Sequence, residues 1–327
     1  MKALQIVKYG DIKDSLAFTE VNKPAIGVND VLIEVKAAAI NPIDKSIILG
    51  NLQSVIPIPF PSTSAYDVSG IVVEKGDEVN NFEIGDLVYS RVPQEQMGTI
   101  AEYVAVTNEA VSKKPGNISF EEAASLPLAG LTALQSLENA GIKENDKVLI
   151  HAGSGGVGSF AIQYAKSKGA YVYTTTSTKN VEWVQNLGAD RVIDYKTEDY
   201  KAIVKDADIV FDTLGKNYTA EAFSVVKQGG KVVSVVGPLD EESAQMFGMA
   251  EYKLPEELAT LSKDKGASYK FIFMHPNGAH LGEIKSLIED EKIKPIIDKV
   301  YPFSESIEAF AHLATGRAKG KIVIKIN

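Results

Sequence analysis

Val148-Leu-Ile-His-Ala-Gly-Ser-Gly-Gly-Val-Gly158 decides the reading of this chain. An apolar strand runs into a turn in which Gly153, Gly155 and Gly158 satisfy G-x-G-x-x-G, and an amphipathic helix is predicted to follow over Gly158–Lys168. Glycines there permit a tight turn and let backbone N–H groups approach a pyrophosphate, which is favoured at the positive end of the next helix. A merely structural turn would not need four glycines in six positions. A nucleophile elbow would put Ala152 in its first glycine position, would follow an unusually long β-rich region, and lacks an evident His and acid. A P-loop is excluded, because no Lys-Ser/Thr follows Gly158.

Working outward, the C-terminal side alternates strand and helix. Strands are expected at Tyr171–Thr175, Arg191–Asp194, Ile209–Thr213, Lys231–Val236 and Lys270–Met274, with helices at Asn180–Leu187 and Tyr218–Lys227. Repeated βα units imply a parallel, doubly wound sheet. Pro238–Tyr252 is less regular and reads as a loop near the sheet's carboxyl edge. On the N-terminal side the period shortens. Runs such as Val31–Lys36, Gly70–Glu74, Leu87–Arg91 and Ala101–Val106, broken by Gly, Pro and Asp, suggest a barrel or sandwich. Ser119 and Glu122 have capping-box spacing, and Pro127 and Gly130 split Glu121–Leu137 into a kinked helix or two helices in series. Helices at Leu281–Glu291 and Ser304–Ala314 and a strand at Lys321–Ile326 are read as returning to the first domain. The expected division is 1–124 with 278–327 as one domain, and 125–277 as a dinucleotide-binding domain.

Composition narrows the chemistry. The 327 residues suit about two domains. Cysteine is absent, which removes disulfides, thiol nucleophiles, iron–sulfur clusters and every sulfur-dependent zinc site. Thirty-four Lys and Arg against 43 Asp and Glu give a net charge of −9, so no nucleic-acid partner is expected. No apolar run reaches the ~18–20 residues of a membrane span, and Lys8, Asp11, Lys13 and Asp14 interrupt any signal-peptide core. No membrane association is expected, and a cytoplasmic location is.

The cofactor's identity is read about 20 residues beyond the turn, where an NAD site places an acid on the ribose 2′-hydroxyl. Here stand Thr174-Thr-Thr-Ser-Thr-Lys179, with no acid until Glu182. Ser177 and Thr178 offer hydroxyls and Lys179 a cation at a helix N-terminus, which suits a 2′-phosphate and predicts NADPH. The alternative is that Ser177 and Thr178 only cap the helix.

Further segments stand in order along the chain: Ala39-Ile-Asn-Pro-Ile-Asp44, Tyr66-Asp-Val-Ser-Gly70, Phe82-Glu-Ile-Gly-Asp-Leu-Val-Tyr89, Gly98-Thr-Ile-Ala-Glu-Tyr103, Ala124–Ala133, Leu187-Gly-Ala-Asp190, Ile193-Asp-Tyr195 and Gly320-Lys-Ile-Val323. In these the chain resembles the medium-chain dehydrogenase/reductase superfamily, in its zinc-free quinone/enone oxidoreductase (zeta-crystallin-like) branch. The resemblance implies an α/β protein, a Rossmann doubly wound parallel sheet inserted into a β-rich GroES-like catalytic domain. Zinc-dependent relatives carry Cys where Asn41 stands and Gly-His-Glu where Ala65-Tyr66-Asp67 stands, so no metal is expected.

Carried onto this chain, the resemblance implies that Asn41 lies beside the nicotinamide and Thr132 contacts that half of the cofactor. Gly155, Gly156 and Val157 would cradle the pyrophosphate. Ser177, Lys179 and Tyr195 would hold the adenosine ribose and 2′-phosphate. Gly237 and the Phe271–Phe273 strand would offer backbone, and Arg317 would approach from the C-terminal loop. The implied activity is NADPH-dependent reduction of a small hydrophobic quinone or α,β-unsaturated ketone, with Asn41 positioning and Tyr66 as the candidate proton donor or, on the alternative reading, a wall of the cleft. Reduction of other activated alkenes, or NADPH binding with little turnover, are the alternatives. The resemblance also implies a homodimer or homotetramer.

Overall fold

The computed structural model describes residues 1–326. Two compact units divide the chain. One comprises Met1–Leu131, His275–Glu291 and the chain from Pro295 onward; the other comprises Thr132–Met274 and Lys292–Lys294.

The first unit is built on the 11-residue strand Asp30–Ile40. It pairs antiparallel with Asp67–Lys75 on one edge, with Tyr103–Thr107 along its first half and with Lys321–Lys325 along its second. Leu87–Arg91 extends the sheet beyond Asp67–Lys75, and Ile297–Pro302 runs parallel to Lys321–Lys325. The register sets Ile322 opposite Ile40 and Asp67 opposite Ala39. Lys321, Asn41 and Asp67 therefore converge at one end of three neighbouring strands. Ala37 and Ala39 pack with Ala124 and Val323, and small side chains there let the helix Phe120–Ala124 approach the sheet. That helix carries the expected capping box: Glu122 N–H donates to Ser119 Oγ (3.1 Å) and Ser119 N–H to Glu122 Oε2 (2.8 Å). The segment beyond it is two helices in series. Pro127 has no N–H to continue the first and opens the second, Pro127–Asn139.

The second unit holds a six-stranded all-parallel sheet. Its order is Arg191–Asp194, Tyr171–Thr176, Lys147–Ile150, Ala207–Asp212, Val226–Ser234, Ser268–Phe271. This is the doubly wound order in which the first strand lies centrally and the chain reverses direction beside it. The carboxyl end of Lys147–Ile150, where the glycine turn begins, is that switch point. Leu149, Val210, Val232, Phe223 and Leu258 fill the core on one face. Pro238–Tyr252 is not wholly a loop, because Asp240 caps a helix at Glu241–Met246 by accepting from Ser243 N–H (2.8 Å). The last strand also stops at Phe271, short of Phe273.

Candidate active site

The glycine turn sorts its glycines by what surrounds them. A Cβ on Gly153 would lie 2.2 Å from Thr174 Oγ1, and one on Gly158 2.3 Å from Ala152 O. Those two permit close packing of the turn. At Gly155 the nearest atom would be Ala152 O at 3.4 Å, so its missing side chain leaves room for something else. Gly155 is the N-cap of the helix Gly156–Ser167, and no side chain caps it. The first-turn amides of Gly156 and Val157 thus sit at the positive end of a 12-residue helix, the arrangement that binds pyrophosphate. Just upstream, His151 is fully buried, edge-on to Tyr200 and Tyr218, and burial pushes its imidazole down to about 4. It is a neutral packing residue.

Ser177, Lys179 and Tyr195 follow the ends of two neighbouring strands. Thr176 is in register with Asp194, and Tyr195 N–H donates to Thr176 O (3.1 Å). The ends of the edge strand Arg191–Asp194 and of its neighbour Tyr171–Thr176 are thereby held side by side, with Ser177 leading the 3-10 turn Thr178–Asn180. Ser177 Oγ accepts from Asn180 Nδ2 (3.3 Å) and caps no backbone N–H. Tyr195 is half exposed, with the Lys196 ammonium 5.1 Å from its ring centroid. Counting residues from the glycine turn missed Lys196, and it also missed Asp194 on the neighbouring strand. The Asp194 carboxylate is already bonded by the Thr178 hydroxyl and the Lys196 N–H, which hold it below the usual carboxylate range.

Thr132 is buried on the helix Pro127–Asn139. Gly237 N–H donates to Ser234 Oγ (2.8 Å). Phe271 N–H donates to Asp240 Oδ2 and its carbonyl accepts from Ser243 Oγ, so its backbone has local partners. Phe273 lies past the strand end and packs edge-on against Phe247 (5.0 Å).

In the first unit, Asn41 belongs to a buried polar network whose other members, Asp44, Asp67 and Lys321, sequence reasoning passed over; Tyr66, whose buried hydroxyl has no hydrogen-bond partner among the described residues, packs against a further buried charge, Arg91. Asn41 N-caps the helix Pro42–Ile48, and its N–H donates to Asp44 Oδ2 (2.7 Å). Its side-chain Nδ2 donates to Asp67 Oδ2 (2.9 Å) while Oδ1 accepts from Lys321 Nζ. Lys321 pairs with Asp67 Oδ2 (3.1 Å), and Asp67 Oδ1 accepts from Leu128 N–H (2.8 Å). Gly320, at φ +75° with no room for a Cβ beside Ile296 O, turns the chain so that Lys321 opens the last strand. Burial raises the Asp44 carboxyl to about 7, with the charge of Asp67 adding and the Asn41 N–H opposing. The Arg91 guanidinium stacks 4.5 Å from the Tyr66 ring centroid. Burial, then the charge of Asp44, pushes the Tyr66 phenol far above its ordinary value. The signal for two of the missed residues was present: Asp67 and Lys321 are opposite charges that each open a strand, and both are buried. Arg317 stands in an exposed turn, where its N–H donates to Thr315 Oγ1 (3.2 Å).

Comparison with known proteins now bears on these units. Residues 27–116 match the alcohol dehydrogenase GroES-like domain, and 187–324 match the family described as zinc-binding dehydrogenase. A tomato (Solanum lycopersicum) 2-methylene-furan-3-one reductase is 36% identical over 99% of this chain and 79% of its own length. The chain belongs to the medium-chain dehydrogenase/reductase superfamily, in its quinone/enone oxidoreductase branch. A chloroplastic NADPH-dependent alkenal/one oxidoreductase of Arabidopsis thaliana is 34% identical over 99% of this chain and 79% of its own. The solved quinone oxidoreductase of Coxiella burnetii is 34% identical with a TM-score of 0.88, covering 100% of this chain and 99% of that one. This member of the superfamily is an NAD(P)H-dependent oxidoreductase.

Zinc, which one matched family description names, does not suit the residues present. Among the described residues no three His, Asp or Glu side chains converge as metal ligands, and Asn41 Oδ1 already faces an ammonium group. No helix among them is long and apolar enough to cross a membrane.

Proposed function

We propose that this protein reduces a small hydrophobic quinone or α,β-unsaturated ketone with NADPH. The observation that carries the reading is the Asn41 network. Where zinc-dependent relatives hold a Lewis acid, this chain presents an amide fixed by a buried ion pair. An amide N–H stabilises negative charge but takes no proton from an alcohol, so it suits a partner that is already electrophilic. The relatives' printed names, with enone, alkenal and quinone among them, support the same class.

NADPH, when bound, supplies the hydride. Gly155 leaves room for its pyrophosphate, and Gly156 and Val157 donate N–H groups to it. Ser177, Lys179 and Tyr195 hold the 2′-phosphate end, with Lys196 as a further cation. Thr132, Gly237, Phe271, Phe273 and Arg317 are the remaining cofactor contacts in this reading. As hydride reaches the acceptor, charge develops on its carbonyl oxygen, and an Asn41 N–H stabilises it. Water supplies the proton that completes the reduction. Tyr66 stays protonated throughout the working pH range, so it donates a hydrogen bond rather than its proton. We place the protein in the cytoplasm as a homodimer or homotetramer, associating through the Ser268–Phe271 edge strand.

The test follows loss of reduced nicotinamide with an ortho-quinone and with an acyclic enone, each with NADPH and with NADH. Turnover of at least one acceptor, and about tenfold preference for NADPH, is expected. Saturable NADPH binding without turnover of either acceptor would overturn the enzymatic reading. Equal use of NADH would overturn the cofactor reading.

A further inference from the structure

Lys321 is a lysine with a 7% exposed side chain on a strand of Lys-Ile-Val-Ile-Lys. Its ammonium has three N–H groups and three acceptors: Ile40 O (3.2 Å), Asp67 Oδ2 (3.1 Å) and Asn41 Oδ1. Asp67 is equally complete, taking Leu128 N–H on one oxygen and Asn41 Nδ2 with Lys321 Nζ on the other. Burying such a pair contributes little net stability, and apolar side chains of similar volume commonly replace it without loss. Its effect here is on the amide between the charges. An ammonium only donates, so the Asn41 atom facing it must be oxygen; a carboxylate only accepts, so the atom facing it must be nitrogen. Both neighbours demand the same orientation, and a flipped amide would offend both.

Of the two Nδ2 hydrogens, one goes to Asp67 and the other meets no partner among the described residues. Asn41 is therefore built to present a donor. The ammonium on its oxygen also draws electron density from the amide, which strengthens the remaining N–H as a donor.

We propose that Lys321 and Asp67 are positioning residues for the reduction: the buried pair fixes the Asn41 amide so that it offers N–H to the acceptor's carbonyl oxygen. This rests on the reduction proposed above. A hydride adds to the carbon conjugated with that carbonyl, NADPH becomes NADP+, the charge gathers on the oxygen that Asn41 bonds, and a proton from water completes the product. A donor already aimed at that oxygen needs no reorganisation as the charge develops. A flipped amide would set lone pairs against it.

The test is a double-mutant cycle on the full-length protein with NADPH and an acyclic enone, reading kcat, KM and, separately, the NADPH dissociation constant by fluorescence. Asn41→Ala is expected to lower kcat by about 10²-fold, and Lys321→Met by about 10- to 100-fold. NADPH affinity should change less than about threefold in Lys321→Met. In the double variant, kcat should fall no further than in Asn41→Ala alone, because Lys321 acts through Asn41. Multiplying losses would overturn the proposal and leave the pair a structural feature. Should Lys321→Met fail to fold, leaving Asp67 buried alone, the paired variant Lys321→Met/Asp67→Asn removes both charges together. It leaves Asn41 free to flip, and the same loss of kcat is expected; wild-type kcat in the folded paired variant would overturn the proposal. A wild-type protein that reduces no acceptor would overturn the functional reading and this inference with it, and wild-type turnover tells the two failures apart.

Discussion

Asp44 shows what one buried carboxyl does to the whole protein's response to pH. Its carboxyl is raised from 3.8 to about 7, with burial as the largest cause. Between those values the folded state keeps a proton that the unfolded chain has released. Stability therefore falls as pH rises through that window and is level above it. The loss attributable to this group is at most roughly 4 kcal/mol. Asp44→Asn keeps an oxygen for the Asn41 N–H (2.7 Å in the native protein) and removes the ionisation. The variant is expected to unfold at a higher temperature than wild type at pH 8. That gap should shrink steadily towards pH 5, followed by thermal melts across the range; a constant gap would refute burial as the cause. Ala152 carries a second single-residue tension. It occupies φ +52° at the start of the glycine turn, where a Cβ costs about 1–2 kcal/mol. Ala152→Gly should raise stability by about 0.5–1 kcal/mol after the added freedom of the unfolded chain is counted, measurable as a shift in urea midpoint.

At the scale of elements, the glycine turn separates folding from binding. Gly158→Ala would set a Cβ 2.3 Å from Ala152 O and 2.9 Å from Gly153 Cα, backbone atoms that cannot move aside cheaply. A loss of about 3 kcal/mol or more is expected, seen as a lowered urea midpoint before any cofactor is added. Gly155→Ala, at φ −85° with no close neighbour, should change stability by less than about 1 kcal/mol while weakening NADPH at least tenfold. Calorimetric titration beside urea unfolding checks the contrast. The turn was legible in the sequence because its glycines, the strand before it and the helix after it all point one way. Other elements were not. Glu256–Lys265 is a polar helix with only Leu258 buried, so it shows little apolar periodicity. Pro42–Ile48 begins on the Asn41-Pro42 pair, which reads as a turn until the capping contact from Asp44 is known. Ile297–Pro302 mixes Asp and Lys into an edge strand that has one neighbour among the described residues. The Asn41 network was half legible for a related reason: residues near 41, 67 and 321 meet only through sheet register, which local spacing does not encode.

For the whole molecule, the decisive quantity is charge. The chain carries −9, so a cofactor with an extra phosphate meets a repulsive average field and must find local cations. Lys179 and Lys196, with Ser177 and Tyr195, follow the ends of the neighbouring strands Tyr171–Thr176 and Arg191–Asp194, while Asp194 is occupied by Thr178 and the Lys196 N–H. A ligand that binds only the folded state raises its stability by mass action, by about 2.7 kcal/mol at a concentration 100 times its dissociation constant. Wild-type protein should therefore show a larger rise in melting temperature with NADPH than with an equal concentration of NADH. Lys179→Glu should abolish most of the NADPH effect, because a carboxylate now faces the 2′-phosphate, and should spare the NADH effect, because the rest of the two dinucleotides is identical. Raising the salt concentration should narrow the wild-type difference, since exposed charges such as Lys179 are screened beyond about 10 Å at 0.1 M. An equal loss of both effects would mean that Lys179 supports the turn Thr178–Asn180 rather than the phosphate, and would return the cofactor preference to the neighbouring Lys196.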